Sequence, residues 1–426
     1  MTIEVTPVGN VCNIGCTYCY EDTMRGTGYS APKMNITGMV QTLDRLDAPF
    51  SVFGGEPLLA PMHILEDLFR FGWERFKHNG IQTNGVLIND EHIELFKKYS
   101  VSVGMSIDGP DELNDARWAG SPEKTREATK KAHAALERLI KERIPVGLIV
   151  TLHRLNASPE RLPRLIEWFN KLGDMGLRDT RVHLMEIDSV RAEVLALTDD
   201  ENIAALEALS HTRGVIVDVF KDIRALLEGE DERATCIWTG CDPYTTPGVQ
   251  GVAADGSASN CGRANKDGPD WVKAEKHGMM RNIILASTPF EDGGCKGCKF
   301  MIFCKGNCPG EAIDLDWRNR SRYCKVWYKI FEGVETKIVA EGKIPVSLRV
   351  DLPKIEEAMV AAWDRDEETT IKRAVYLAEE PSRAGAPTRQ GTHHVSVPHG
   401  DHSNHVNHTD LSGMPIPEGA EEVHDA

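Results

Sequence analysis

The segment Cys12-Asn13-Ile14-Gly15-Cys16-Thr17-Tyr18-Cys19-Tyr20 decides how the rest of the chain is read. Three thiols spaced C-x3-C-x2-C can hold three irons of a [4Fe–4S] cube, because soft sulfur ligands suit such clusters. The fourth iron then has no protein ligand nearby and is open to another molecule. An open iron implies chemistry as well as electron storage. The competing reading is zinc, since C-x2-C pairs often bind it. Structural zinc takes four protein ligands, and this segment offers three thiols.

Working outward, three further segments stand at the ends of β-type runs. Gly54-Gly55-Glu56-Pro57 follows Phe50-Ser51-Val52-Phe53, and Gln82-Thr83-Asn84-Gly85 closes the next short run. Ser106-Ile107-Asp108-Gly109-Pro110 follows the alternating stretch Val101-Ser102-Val103-Gly104-Met105. Short β-type runs at 3–5, 51–53, 80–83, 101–107, 146–152 and 181–187 alternate with helical patterns at 64–76, 90–98 and 124–141. That alternation predicts a parallel βα array with crossover helices. In such barrels the chemistry gathers on the loops after the strands, where all four segments fall. Six strands predict an open, three-quarter barrel whose gap admits a bulky substrate.

The chain in these residues resembles the radical SAM enzymes. The resemblance implies that the open iron chelates S-adenosylmethionine (SAM) and that Gly54, Gly55, Glu56 and Pro57 contact its methionine end. It also implies that Ser106 and Asp108 meet the ribose and that Asn84 lines the same pocket. Glu56 could equally steady the turn while backbone groups touch the ligand, and Asn, Ser and Asp are also ordinary turn residues.

The other eight cysteines lie in the second half. Cys236 precedes Cys241, which is followed by Gly256 and Cys261; then come Cys295, Cys298, Cys304, Cys308 and Cys324. This pattern resembles the SPASM extension of peptide-modifying radical SAM enzymes. By order, the resemblance implies one auxiliary cluster on Cys236, Cys241, Cys261 and Cys308 and a second on Cys295, Cys298, Cys304 and Cys324. Three [4Fe–4S] clusters then use all eleven cysteines. Structural zinc is the main competitor, because C-x2-C followed by C-x3-C looks like a knuckle; a disulfide framework is disfavoured in a reducing compartment.

The expected fold class is therefore α/β: a partial (β/α)6 TIM-like barrel, a C-terminal twin-cluster SPASM domain and a disordered, His-rich tail. The expected division is 1–190 for the barrel, 191–235 for a helical bridge, 236–330 for the SPASM domain, 331–378 for a C-terminal helical segment and 379–426 for the tail. In the bridge, Ile203, Leu206 and Leu209 recur at helical spacing. Helices are expected at 326–338 and 352–378.

The chain has 426 residues, enough for two or three domains. No signal peptide is expected before Cys12, and no uncharged apolar run approaches the roughly 20 residues that span a bilayer. Eleven reduced thiols call for a reducing compartment, so a cytoplasmic location is expected. A net charge of −16 argues against nucleic acid as a partner, since phosphate binding needs a basic surface. The stretch 392–410 holds six of the fifteen histidines and too few apolar residues to form a core. It reads as a solvated tail, as a metal site at His399, Asp401, His402, His405, His408 and Asp410, or as a substrate-like segment.

The resemblance implies reductive cleavage of SAM to a 5′-deoxyadenosyl radical that abstracts a substrate hydrogen. Fully ligated auxiliary clusters favour electron transfer over direct substrate binding. The expected enzyme is an oxidoreductase acting on a peptide or protein, and no catalytic acid or base can be named. Its first reading is maturation of a ribosomally made peptide through a thioether or carbon–carbon crosslink. The alternative is sulfatase maturation, oxidising Cys or Ser to formylglycine. In sulfatase-maturing relatives an Asp typically follows the cysteine matching Cys261 and serves as base; Gly262 stands there in this chain, which points away from that reading. A second alternative is a non-catalytic iron–sulfur or metal-binding protein. Expected partners are a peptide or protein substrate and an external flavodoxin- or ferredoxin-like electron donor. With no room for a leader-recognition domain before Cys12, a separate leader-binding protein is a further expected partner.

Overall fold

Alternation of buried apolar residues with small or polar ones builds six parallel strands. They are β1 (Thr2–Thr6), β2 (Phe50–Val52), β3 (Asn79–Thr83), β4 (Val101–Ser106), β5 (Val146–Leu152) and β6 (Asp179–Leu184). In β4, Val101, Val103 and Met105 are buried against helices, while Ser102, Gly104 and Ser106 take the other face. The computed structural model describes residues 2–26, 32–246, 248–265 and 273–379. The metal reading of the histidine tail lies outside these residues.

Crossover helices cover the outer face: α1 (Ile36–Leu46), α2 (Met62–Phe76), α3 (Asp90–Lys98), α4 (Pro122–Lys141) and α5 (Leu162–Asp174). Their starts obey local chemistry. Ser121 caps α4 with Pro122 at its first position, and Asn89 caps α3 through the backbone N–H of His92. The bridge folds into α6 (Val190–Leu195), α7 (Asp199–Leu209) and α8 (Asp218–Glu228).

The sheet is wider than the sequence predicts. Its order is β7-β6-β5-β4-β3-β2-β1-β8-β9, with β7 (Ile216–Val217), β8 (Val249–Ala253) and β9 (Ala258–Ser259) added at the two edges. Within this sheet, among the described residues, β8 and β9 alone pair antiparallel. Strand β8 runs parallel to β1 in the register Thr2↔Val249 to Thr6↔Ala253. A strand from the cysteine-rich half thus extends the barrel sheet at β1. These edge strands escape sequence reading because they are short, and β8 contains Gln and Gly without alternation.

The turn joining β8 to β9 explains the glycine between Cys241 and Cys261. Gly256 has a φ of +88°, and a Cβ there would stand 2.2 Å from the backbone of Gly38 on α1. Thr42 on α1 donates its hydroxyl to the Gly256 carbonyl at 2.6 Å.

Beyond the barrel come α9 (Cys324–Ala340), α10 (Leu352–Trp363) and α11 (Ile371–Glu379). The expected single helix over 352–378 is split where the charged stretch 364–368 includes Asp366 at φ 58°. Phe331 on α9 stacks on Phe300 with centroids 5.1 Å apart and meets the buried Trp238 edge-on at 5.5 Å. This ring cluster joins the Cys236 loop to the loop carrying Cys295–Cys304. Among the described residues no helix is long and apolar enough to cross a membrane.

Phe331 is fully buried, so Phe331→Ala should cost about 3–5 kcal/mol through lost contacts and a cavity. The expected result is a lower urea midpoint in equilibrium unfolding; an unchanged midpoint would contradict this packing.

Candidate active site

The cysteine loop owes its position to close backbone approach. Gly54 has a φ of +126°, and a Cβ there would lie 2.4 Å from the Gly9 carbonyl. A Cβ on Gly55 would lie 2.3 Å from the Val11 carbonyl. The backbone N–H of Gly55 donates to Gly9 O, and that of Glu56 to Val11 O, both at 2.9 Å. The end of β2 is thus pinned to the residues just before Cys12, and glycine is required for the fit.

Glu56 holds this turn together and does not face the ligand space. Its fully buried carboxylate accepts from the N–H of Leu58 (3.0 Å), the Thr83 hydroxyl (2.7 Å) and the N–H of Asn84 (2.8 Å). Burial raises its pKa against these bonds. Asn84 reaches back to the cysteine loop, donating to Asn13 Oδ1 at 2.8 Å with Cys12 Sγ 3.8 Å away. Gln82 crosses the bare Cα of Gly104 to donate to Ser106 Oγ at 2.7 Å.

A cavity of about 280 Å³ opens at the carboxyl ends of the strands. Its wall includes Cys12, Cys16, Cys19, Gly54, Gly55, Asn84 and Ser106, and also Cys236, Cys241, Cys261 and Cys308. Glu56, Pro57 and Asp108 are not part of that wall. Asp108 is held by protein partners. Its fully buried carboxylate accepts from Tyr18 Oη, from Arg117 Nη2 at 3.1 Å and from the Thr151 N–H at 3.0 Å, and lies 3.3 Å from His153 Nε2. Burial opposes its ionisation, but Arg117, His153 and Tyr18 overcome this and hold its pKa well below the usual carboxylate range. Because Tyr18 lies between Cys16 and Cys19, Asp108 anchors the cysteine loop.

All eleven cysteines are free thiols. They fall into a set of three and two sets of four. Cys261 feels the charges of Cys241, Cys308 and Cys236, whereas Cys304 feels those of Cys295, Cys324 and Cys298. Burial pushes the Cys16, Cys236 and Cys295 thiols up to about 12 and Cys308 to about 11, so they stay protonated until metal displaces the protons. Among the described residues no three His, Cys, Asp or Glu side chains converge as a single ion requires. Zinc draws each thiolate to about 2.3 Å from one centre, while a cube spreads its ligands over four irons.

Several cavity residues carry no motif and were missed in the sequence. Glu4 and Glu21 face the same space, and burial pushes both up to about 7. Arg263 pairs with Glu186 and, at 2.9 Å, with Glu311. His183 is kept neutral, chiefly by burial. Glu4 left one signal: a carboxylate alternating with Ile3 and Val5 on the first strand must face the barrel interior.

Residues 6–162 match the radical SAM superfamily. The chain carries a radical SAM domain. That family brings a [4Fe–4S] cluster and SAM, and Cys12, Cys16 and Cys19 lie within the matched residues. The chain is 33% identical over 132 residues to a serine-type anaerobic sulfatase-maturating enzyme of Bacteroides thetaiotaomicron, a match covering 26% of this chain and 30% of that one. A longer match, 28% identical over 372 residues, covers 78% of this chain and 84% of the serine-type enzyme of Klebsiella aerogenes. The solved structure of anSMEcpe with bound AdoMet shares the fold, with a TM-score of 0.60 and 19% identity over 80% of this chain and 98% of that one. Residues 6–162 are thus similar to the radical SAM superfamily, and most of the chain is similar to an anaerobic sulfatase-maturating enzyme.

Gly55→Ala should push the loop away from β2 and cost the radical SAM domain its cluster. Iron bound by the reconstituted protein and its formation of 5′-deoxyadenosine from SAM should then both fall below the parent's, and an unchanged iron content would contradict this fit. Asp108→Asn leaves the Arg117 guanidinium buried without its counter-charge, which should destabilise the protein by about 3–5 kcal/mol. Thermal unfolding of the two proteins under matched anaerobic conditions checks this.

Proposed function

We propose that the protein oxidises a side chain of a peptide or protein in the manner of the anaerobic sulfatase-maturating enzymes, turning Ser or Cys into the aldehyde of formylglycine. The observation that carries this reading is the surroundings of Gly262. A Cβ on Gly262 would stand 3.0 Å from Glu21 Oε1 and 2.8 Å from Tyr20 Cε2. A carboxylate therefore already fills the space that a residue 262 side chain would enter. The missing Asp, which pointed away from sulfatase maturation in the sequence, is replaced by an acid from the cysteine loop. The near full-length match to the Klebsiella aerogenes enzyme supports the same reading. The crosslink-forming reading has no comparable support.

The groups to be held are SAM and three [4Fe–4S] clusters, with the auxiliary sets on Cys236, Cys241, Cys261 and Cys308 and on Cys295, Cys298, Cys304 and Cys324. When bound, they supply hydrogen-atom abstraction and a sink for the remaining electron. The chain's own residues do the rest. Gly54 and Gly55 present bare backbone to the methionine end of SAM, and Ser106 and Asn84 offer polar atoms along the same wall. Oxidation of a hydroxymethyl group to an aldehyde, or of a thiomethyl group to a thioaldehyde that water then hydrolyses with release of sulfide, also frees a proton, which Glu21, with Glu4 beside it, takes at a carboxylate oxygen. Arg263, fixed by Glu186 and Glu311, adds a guanidinium to this wall for orienting polar substrate groups. An external low-potential reductase of flavodoxin or ferredoxin type completes the electron supply.

The test is to incubate the reconstituted protein, SAM and a reductant with sulfatase-type peptides carrying Ser or Cys, and to trap the product with a hydrazide. An aldehyde is expected; a dehydrogenated product that forms no hydrazone would favour a crosslink. Glu21→Gln should lower aldehyde formation by about 10²–10⁴-fold, the usual contribution of a positioned base, while 5′-deoxyadenosine still forms.

A further inference from the structure

Arg281 is the one large cation completely buried in the cysteine-rich half among the described residues. Its partners there are all backbone carbonyls. Nε donates to Trp317 O at 2.6 Å, Nη1 to Asn307 O at 2.7 Å and Nη2 to Asn319 O at 2.8 Å. Weaker contacts reach Cys241 O and Lys305 O at 3.5 Å and Gly306 O at 3.4 Å. The strap it grips, Lys305-Gly306-Asn307, is the segment between Cys304 and Cys308, so one ligand from each set of four flanks it. Cys241 belongs to the first set, and Trp317 and Asn319 lead toward Cys324 of the second.

A buried guanidinium held by dipoles alone is costly unless a negative charge compensates it. Two other cations lie nearby. Lys305 is buried and donates to Trp238 O at 3.1 Å, and Lys273 donates to Asp242 O with Cys241 Sγ 3.8 Å away. Four thiolates around a cube give the assembly a net negative charge, and the thiols Arg281 faces are Cys308 and Cys241 from one set and Cys295 and Cys304 from the other.

We propose that Arg281 is a positioning residue and shared counter-charge for both auxiliary clusters, holding them in one frame and raising the reduction potential of each. The proposal rests on the twin-cluster reading. A fixed positive charge stabilises the more negative, reduced form of a cluster, so both clusters are poised to accept an electron from substrate. Lys273, which approaches Cys241 alone, should act on the first cluster only.

The experiment is an EPR-monitored potentiometric titration of the full chain after anaerobic reconstitution, with iron and sulfide counted on every sample. Arg281→Gln should keep its iron yet move both auxiliary midpoints to lower potential, leaving the SAM-binding cluster where it was. Lys273→Gln should move one auxiliary midpoint, and Arg281→Lys, which keeps the charge, should stay near the parent. Full iron with unmoved midpoints in Arg281→Gln would overturn the proposal. Should Arg281→Gln lose iron, Arg281→Lys decides: cluster loading with parental midpoints supports the charge role, and failure to load overturns it in favour of a packing role. A parent protein with a single cluster would instead sink the twin-cluster reading itself, and the iron count separates the two failures.

Discussion

The Asp108 carboxylate is the point on which the active end of the barrel depends. It sits where β4 ends, is ionised by Arg117, and takes hydrogen bonds from Tyr18 in the cysteine loop and from the backbone of β5. Three pieces far apart in sequence therefore meet on one buried charge. Removing that charge would leave Arg117 stranded in low dielectric and free the loop that carries Cys16 and Cys19. The clamp of Gly54 and Gly55 on residues 9–11 acts on the other side of the same loop. Between these two restraints the first three thiols face the cavity without help from each other, since burial keeps them protonated in the metal-free protein.

The second half extends the barrel. Strand β8 pairs along the whole of β1, and Gly256 packs backbone to backbone on α1. This places the first auxiliary thiol set on the wall of the cavity that the radical SAM cysteines line. The second set is absent from that wall. On the proposed twin-cluster reading, one cluster would face the substrate and the other lie behind it, with Arg281 between the two thiol sets. The carboxylates Glu4, Glu21 and Glu186 gather on the same inner wall, which they share with Arg25, Arg117, Arg181 and Arg263.

Much of the fold was legible because it is carried by local patterns. Residues 90–98 and 146–152 emerge as a helix and a strand with the expected bounds, since period and capping are properties of neighbouring residues. The edge strands β7 and β8 were not legible, because a two-residue strand and the mixed run Val249–Ala253 owe their form to the partner they pair with. For the same reason the roles of Glu56 and Asp108 could not be separated from ligand contacts in the sequence. Each is a strand-end acid in a motif, and only its buried partners show that it braces the backbone. Glu21 was overlooked because nothing in its local sequence distinguishes an acid that fills the space beside Gly262.

The sequence by itself determined the chemistry. Thiol spacing, the glycine pair and the βα alternation are set by covalent distance along the chain, and they sufficed for a radical SAM barrel with further thiol sets. Only the tertiary structure decided which acids face the cavity, which merely hold it open, and which buried cation stands between the two auxiliary sets. Those outcomes depend on contacts between distant residues, such as Tyr18 with Asp108, 90 positions apart, or Thr42 with Gly256, 214 apart. Burial and charge pairing at such range are sums over the whole fold, and no local pattern encodes them.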